Sequence, residues 1–393
     1  MPAVTCLQTS LLLIYFDIPN TSSKHIYSTQ SKGLNGTKLL TAQLNNLTNP
    51  NIRFNSLDGI RGILALTVLF SHTIGVATGW TEQRPLVGAY ISVIYFFMMS
   101  GFVLTHAHRV SHKFLPYLLF RLARLWPLHV ISIILMIVIY TYNKHVGGYI
   151  PGLYFLNWKV ILENIAFLHG ITPLDFPLIN EPSWSISIEF WASLLVPIIF
   201  IRIPLLKRLF FSVSILLFLC LKSKTGFSSS EFNGMFPFLL ALCCMMLGST
   251  VYAFASSKWL KPIIEKNFFE IFLWVCFAFC LIGIYGQTHN RLDFIYIIPF
   301  LPLMLTDLQP ETSYFRRFLS SPIMQFLGFI SFPLYLLHSS AIIIGMEYRI
   351  DSQILSILMA SGLSIVVSYI YATYFDIPLY YLLKKNIKSI FNK

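Results

Sequence analysis

The sequence predicts an all-α protein, a polytopic transmembrane helical bundle of about ten spans with both termini cytoplasmic. Of its 393 residues, 56% are hydrophobic and 16% aromatic, and only 11% are charged. Soluble domains carry about 25% charged residues, so this composition excludes an ordinary soluble protein. The apolar residues also gather in long blocks, and about 20 consecutive apolar residues are what an α-helix needs to cross a bilayer.

Ten apolar stretches are long enough, or nearly long enough, to span. They lie at residues 62–80, 87–106, 117–142, 187–201, 205–221, 233–255, 267–285, 293–308, 326–346 and 353–376. With the N-terminus inside, the segments on the cytoplasmic side hold sixteen Lys and Arg residues and those on the opposite side hold seven. Basic residues accumulate on the cytoplasmic side of membrane proteins, which favours this orientation in a multi-pass protein of the cell membrane.

Three regions follow from the same pattern. Residues 1–55 form a polar segment that we expect to be poorly ordered, residues 56–380 form the transmembrane domain, and residues 381–393 form a basic cytoplasmic tail. The net charge of +12 does not indicate nucleic-acid binding, because the basic residues are scattered between apolar blocks. The six cysteines show no metal-ligand spacing, and no internal repeat is visible.

The first span carries polar residues at both ends, in SLDGIRGILALTVLFSHT. Arg61 and His72 are eleven residues apart, so on a helix they point within about 20° of each other and lie about 16 Å apart along the axis. Ionisable groups inside a membrane mark functional sites by default. The alternative is an interfacial arginine, held by Asp58, and a histidine buried in the core.

The third span opens with a second pair, Arg121 and Arg124, in FRLARLWP. Three residues apart, they are neighbours on one helix face at the predicted cytoplasmic end. Two guanidinium groups there match the oxygens of a phosphate or pyrophosphate. The pair is equally typical of interfacial anchors that obey the positive-inside rule.

The fourth span begins with EPSWSISIEFWA, which places Trp184, Ser185 and Glu189 at its non-cytoplasmic end. A carboxylate next to FWASLLVP must be paired or line a cavity. Glu189 could accept a proton, orient a histidine or bind a sugar hydroxyl. The alternative is that Ser185 or Glu189 caps the helix.

The ninth span contains LGFISFPLYLLH, in which Pro333 should kink the helix. Tyr335 and His338 are three residues apart and face the same way. His338 is either a second functional histidine or a buried structural one.

The second span ends with YFFMMSGFVLTHAHR. We expect Gly101 to permit close helix approach. His106 and His108 are expected at the cytoplasmic interface, without a catalytic role.

Taken in order, five blocks resemble acyltransferase family 3, the integral-membrane O-acyltransferases. They are SLDGIRG with His72, FFMMSGFV, FRLARLWP, SWSISIE and LGFISFPLYLLH, and the resemblance runs from about Asn55 to the end of the tenth span. Two positions differ from the usual family pattern: Phe332 follows Ser331 where tyrosine is usual, and Asp376 begins a late Asp-x-Pro where glutamate is usual.

The resemblance implies transfer of an acyl group, commonly acetyl, from cytoplasmic acyl-CoA to a hydroxyl of a cell-envelope glycan or lipid-linked acceptor, without a metal. It implies catalytic roles for His72, Arg61 and Glu189, donor binding by Arg121, Arg124 and Arg61, and substrate or supporting roles for Asp58, Trp184, Ser185, Tyr335 and His338. A neutral imidazole suits the first role, since a base with a pKa near the working pH is the most effective. A secondary transporter or a membrane sensor would use similar intramembrane polar residues, and these classes stay open at this point.

Overall fold

The fold is helical throughout the part of the chain that the structure, a computed structural model, describes. The described residues are 53–391 apart from 82, 111–112, 147–155, 172–177, 225, 228–234, 256, 258–259, 287–289 and 348–351. The expected disorder of residues 1–55 therefore concerns a segment that lies, except for its last three residues, outside the described chain.

The main helices follow the apolar blocks closely. They are α1 (Asn55–Thr78), α2 (Ile91–Val110), α3 (Phe114–Val146), α4 (Trp158–Ile165), α5 (Ser183–Leu195), α6 (Leu205–Lys222), α7 (Met235–Ala255), α8 (Asn267–Tyr285), α9 (Ile297–Leu303), α10 (Pro322–Glu347), α11 (Gln353–Tyr371) and α12 (Ile377–Phe391). Helix α10 continues through Pro333. Helix α12 includes most of the predicted tail.

Eight helices in the described chain are long and apolar enough to cross a membrane, two fewer than the ten spans predicted. The two predicted spans outside this group are α6 and the segment 293–308. Helix α6 carries three basic residues, and the segment 293–308 is divided among short helical pieces. Length and apolarity alone therefore do not identify them as spans.

Contacts at their ends show that both segments nevertheless run the length of the bundle. We call the end where α1 begins the near end, and the end where α1 finishes and α2 begins the far end. Asp293 accepts a hydrogen bond from the Tyr90 hydroxyl at the far end (2.7 Å), whereas Asp307 accepts one from the Ser56 amide at the near end (3.0 Å). Residues 293–308 therefore pass from one end to the other.

Helix α6 makes the opposite passage. Near its start, Arg208 donates to Ser249 Oγ (2.9 Å), close to the end of α7. Near its finish, Cys220 Sγ lies 3.8 Å from the carbonyl oxygen of Arg291, beside the far-end contact of Asp293. Within the described chain, these end contacts therefore place both segments between the two ends of the bundle, beside the eight candidate spans.

Glycines let two helix pairs touch backbone to backbone. A Cβ added to Gly62 on α1 would lie 2.6 Å from the amide nitrogen of Gly328 on α10, and one added to Gly101 on α2 would lie 2.0 Å from the carbonyl oxygen of Met245 on α7. Small residues allow such close approach in membrane bundles. The predicted role of Gly101 is confirmed. His106 and His108 are buried among neighbouring side chains, and His106 Nδ1 lies 3.0 Å from the Tyr252 hydroxyl.

The start of α1 depends on Asp307, because Phe54, which precedes the helix, offers no side-chain cap. The Asp307 carboxylate accepts hydrogen bonds from the amides of Ser56 and Leu57. Replacing Asp307 by alanine should destabilise the protein by about 0.5–2 kcal/mol, the usual cost of losing such a cap. Asparagine should cost less, since it keeps an acceptor. Thermal unfolding in detergent would measure both, with the exposed Glu311→Ala variant as control. An alanine variant as stable as wild type would contradict the role.

Candidate functional site

Two histidines meet where α1 packs against α10. His72 Nδ1 lies 2.8 Å from His338 Nε2, and His338 Nδ1 lies 3.0 Å from the carbonyl oxygen of Leu334. A carbonyl only accepts, so His338 Nδ1 carries a proton, and its Nε2 accepts a hydrogen bond from the N–H at His72 Nδ1. The network therefore leaves His72 Nε2 with a lone pair. The sequence left His338 as either a second functional histidine or a buried structural one. The hydrogen bond to His72 favours the first of these.

Tyr335, one turn before His338, connects this pair to α5. Its hydroxyl lies 2.8 Å from Ser185 Oγ, and Ser185 Oγ donates to the carbonyl oxygen of Pro182 (3.1 Å). Because the serine proton is used there, Tyr335 donates to Ser185. Trp184 is partly buried and packs against the main core. The start of α5 is thereby fixed to the helix that carries His338.

Glu189 and Arg121 form an ion pair inside the bundle. Arg121 Nη2 lies 2.8 Å from Glu189 Oε1, and both side chains are largely buried. Ser100 on α2 donates to the same carboxylate oxygen (2.9 Å). The sequence pattern placed Arg121 at the cytoplasmic end and Glu189 at the opposite end. The two placements cannot both hold, because Arg121, about two turns into α3, contacts Glu189 at the middle of α5. The carboxylate is thus engaged by Arg121 and Ser100.

Arg124 is held by both residues that differ from the usual family pattern. Its Nη1 lies 2.5 Å from Asp376 Oδ2, just before α12, and its guanidinium carbon lies 4.7 Å from the ring centroid of Phe332 on α10. Aspartate keeps the carboxylate that the usual glutamate would supply. Arg121 and Arg124 therefore each have a carboxylate partner.

Arg61 shares its carboxylate partner with a second arginine. Asp58 accepts from Arg61 Nη1 (2.8 Å) and from Arg53 Nε (2.7 Å). The pairing of Arg61 with Asp58, one of the two alternatives drawn from the sequence, is confirmed. Asp58 therefore holds both guanidinium groups at the near end.

A further polar cluster, which the sequence analysis did not single out, lies beside α3. The rings of His129 and His169 stack with centroids 5.3 Å apart, and His129 Nε2 donates to the carbonyl oxygen of Asn164 (2.8 Å). Burial lowers the pKa of His169 to about 4. Asn180 donates to Ser132 Oγ (3.0 Å) and to the carbonyl oxygen of Leu336 on α10 (2.9 Å). The available signal was His129 itself, an ionisable residue within an apolar block.

Known proteins resemble this chain over different portions of its length. A Rhizobium radiobacter protein named "Protein 2 in picA locus" is 36% identical over 141 residues, which are 33% of this chain and 63% of that protein. "Acyltransferase MdmB" of Streptomyces mycarofaciens is 26% identical over 160 residues, which are 37% of this chain and 39% of that protein. A "Putative O-acetyltransferase" of Staphylococcus aureus (strain COL) is 24% identical over 332 residues, which are 76% of this chain and 52% of that protein.

The chain thus spans between about two fifths and two thirds of the length of these relatives. No solved structure matches it. The sequence profile of the family described as "Acyltransferase domain" matches residues 54–373, which include Asp58, Arg61 and the histidine pair and end within the π-helical turn before α12. Most of the chain lies inside that match, and the protein therefore belongs to acyltransferase family 3.

Proposed function

We propose that this protein is a membrane O-acyltransferase that moves an acetyl group from acetyl-CoA to a hydroxyl of a cell-envelope glycan or related acceptor. The observation that carries the proposal is the pair of His72 and His338, whose hydrogen bonds leave one imidazole nitrogen unprotonated. The apolar helices and the family support a multi-pass membrane protein. We place it in the cell membrane with the near end in the cytoplasm.

In this proposal His72 is the general base. Its Nε2 takes the proton of the acceptor hydroxyl as that oxygen attacks the thioester carbonyl. The carbon–sulfur bond then breaks, and the thiolate of CoA leaves with the proton from His72. A positioned base of this kind contributes about 10²–10⁴-fold to the rate.

His338 acts as a positioning residue through His72. By accepting from His72 Nδ1, it holds the ring orientation and stabilises the positive charge that the ring gains when it takes the proton. The buried location of His338 keeps water from replacing that hydrogen bond. Tyr335 and Ser185 hold the same stretch of α10 in place.

The donor is proposed to approach from the near end. The arginines expected to bind phosphate, Arg121 and Arg124, each pair with a carboxylate, whereas Arg53 and Arg61 share one. The Arg61 guanidinium has five N–H donors and uses one of them for Asp58, which favours this site for the phosphates of CoA. Arg61 lies about 16 Å from His72 along α1, a distance that an extended thioester arm crosses.

A His338 series tests the proposed mechanism. His338→Leu removes the acceptor for His72 Nδ1 and should lower kcat by about 10-fold or more, because the base then loses its fixed tautomer. His338→Gln keeps an acceptor oxygen and should recover part of kcat, with the acetyl-CoA KM unchanged in both variants. The assay follows radiolabelled acetyl-CoA into the glycan fraction of membranes.

Two controls make the result decisive. The exposed His145→Ala variant should behave as wild type, and size-exclusion profiles should show equal folding of all variants. A kcat of His338→Leu equal to that of wild type would remove His338 from the mechanism. No label above background with wild-type membranes would overturn the proposed activity itself.

A further inference from the structure

The chain folds back on itself directly after α1 and brings an indole against the proposed base. The amide of Trp80 donates to the carbonyl oxygen of Gly75 (2.7 Å), and the rings of Trp80 and His72 meet edge to face with centroids 5.7 Å apart. Trp80 nevertheless remains 45% exposed. An open aromatic surface therefore lies beside His72 at the far end of the bundle.

Several local features serve this placement. Gly79 ends α1 in the left-handed region (φ 69°), and Trp80 itself has φ 60°, which is unfavourable for a residue with a side chain. A Cβ on Gly75 would lie 2.7 Å from the indole. Ser71 Oγ donates to the carbonyl oxygen of Leu86 (2.8 Å), which ties the other end of the turn to α1. Together, these features fix the position of the indole within the turn.

Arg84 adds a positive charge to the same surface. Its guanidinium carbon lies 4.8 Å from the Trp80 ring centroid, and Nη1 donates to the carbonyl oxygen of Thr81 (3.3 Å). The Nε atom is buried and has no hydrogen-bond partner among the described residues. No carboxylate among the described residues lies within ion-pair distance of Arg84.

We propose that Trp80 and Arg84 form the acceptor subsite, and that the acceptor is an acidic sugar whose ring packs on the indole while its carboxylate or phosphate group binds Arg84. Indole surfaces suit the apolar faces of sugar rings, and the guanidinium group suits planar or tetrahedral oxyanions. The edge contact with His72 brings a hydroxyl of the stacked ring to the proposed base. This inference rests on the proposed function for the role of the site, and it adds the class of acceptor.

Another explanation of an exposed tryptophan is an anchor at the membrane surface. Trp158 provides the comparison, since it starts α4 and is 74% exposed. Unlike Trp80, it has an ordinary helical backbone position. Trp158→Ala is therefore the matched control, and Lys144→Gln, an exposed residue predicted on the same side, is the control for charge.

Equilibrium binding without donor tests the subsite directly, using purified protein in nanodiscs and three probes. Trigalacturonate carries carboxylate groups that the neutral α-1,4-galactotriose lacks. Galactose 6-phosphate carries a phosphate group instead. Wild type should bind an acidic probe at least about tenfold more tightly than galactotriose, as expected for a charge-assisted hydrogen bond. Whether the carboxylate or the phosphate binds more tightly identifies the acidic group.

The variants separate the contribution of the Arg84 charge from that of the Trp80 ring. Arg84→Gln should abolish the preference for the acidic probe, whereas Trp80→Ala should weaken binding of all probes and Trp80→Phe should restore part of it. Both controls should bind as wild type does. Equal affinity of wild type for all three probes, no binding of any, or unchanged binding by Trp80→Ala and Arg84→Gln would overturn the subsite.

The transfer assay separates failure of this inference from failure of the proposed function. If acidic probes bind as expected but wild type transfers no acetyl group, the activity is wrong and the binding site stands. If transfer occurs and the Trp80 and Arg84 variants leave the acceptor KM unchanged, the acceptor subsite is wrong and the activity stands. The expected result is an acceptor KM raised about tenfold or more in Arg84→Gln, with the acetyl-CoA KM unchanged.

Discussion

Replacing His72 by alanine is expected to lower kcat for acetyl transfer at least about 100-fold, the loss typical of removing a general base. The protein should still insert and fold, because the change leaves no charge unpaired and His338 keeps its bond to the Leu334 carbonyl oxygen. The measurement is incorporation of radiolabelled acetyl groups at saturating acetyl-CoA, normalised to the amount of folded protein.

His145→Ala, exposed at the end of α3, is the matched control for removing an imidazole. If His72→Ala retained more than about one hundredth of wild-type kcat, the general-base assignment would fail. Binding of the acidic probes should persist in His72→Ala, because the indole and the guanidinium group remain in place.

Breaking the ion pair between Arg121 and Glu189 is expected to give the largest loss of stability. Either Arg121→Ala or Glu189→Ala leaves its partner charged inside the bundle, and such uncompensated charges cost about 3–5 kcal/mol. The double variant Arg121→Met with Glu189→Leu removes both charges and should recover much of the loss. Unfolding in detergent of the wild type, the single variants Arg121→Met and Glu189→Leu, and this double variant measures the coupling between the two residues.

The pair of Lys159 and Glu163 on α4 is a suitable control, since its charged atoms are 3.9 Å apart and Lys159 is exposed. Lys159→Ala should change the free energy of unfolding by at most about 1 kcal/mol. The family resemblance implied a donor-binding role for Arg121. A higher acetyl-CoA KM in Arg121→Ala, with unchanged thermal stability, would restore that role and contradict the structural one.

The sequence predicts the passages of the bundle well because each depends on a local property, the length of an apolar block. The common direction of Arg61 and His72 follows equally from one helix period, and so does the pairing of Arg61 with Asp58. Segment 293–308 shows where the local argument weakens. It crosses the bundle in short helical pieces, so a criterion based on the length and apolarity of single helices does not detect the crossing.

Partners far apart in the chain could not be assigned in this way. His338 follows His72 by 266 residues and Asp376 follows Arg124 by 252, and periodicity contains no information about which helices become neighbours. The same limit explains why Arg121 and Glu189 were placed at opposite ends. Trp80 was missed for a different reason, because its position depends on a left-handed backbone just past the helix.

The glycine contacts between α1 and α10 determine which parts of the protein can move during a reaction cycle. Gly62 and Gly328 bring the two backbones together with no side chain between them to adjust. Helices packed this closely cannot slide without a steric clash, so the two histidines move as one body. Any opening that admits a donor from one side and an acceptor from the other must therefore come from movement of the surrounding helices and turns. The turn that carries Trp80 is joined to α1 at the far end of this rigid helix pair.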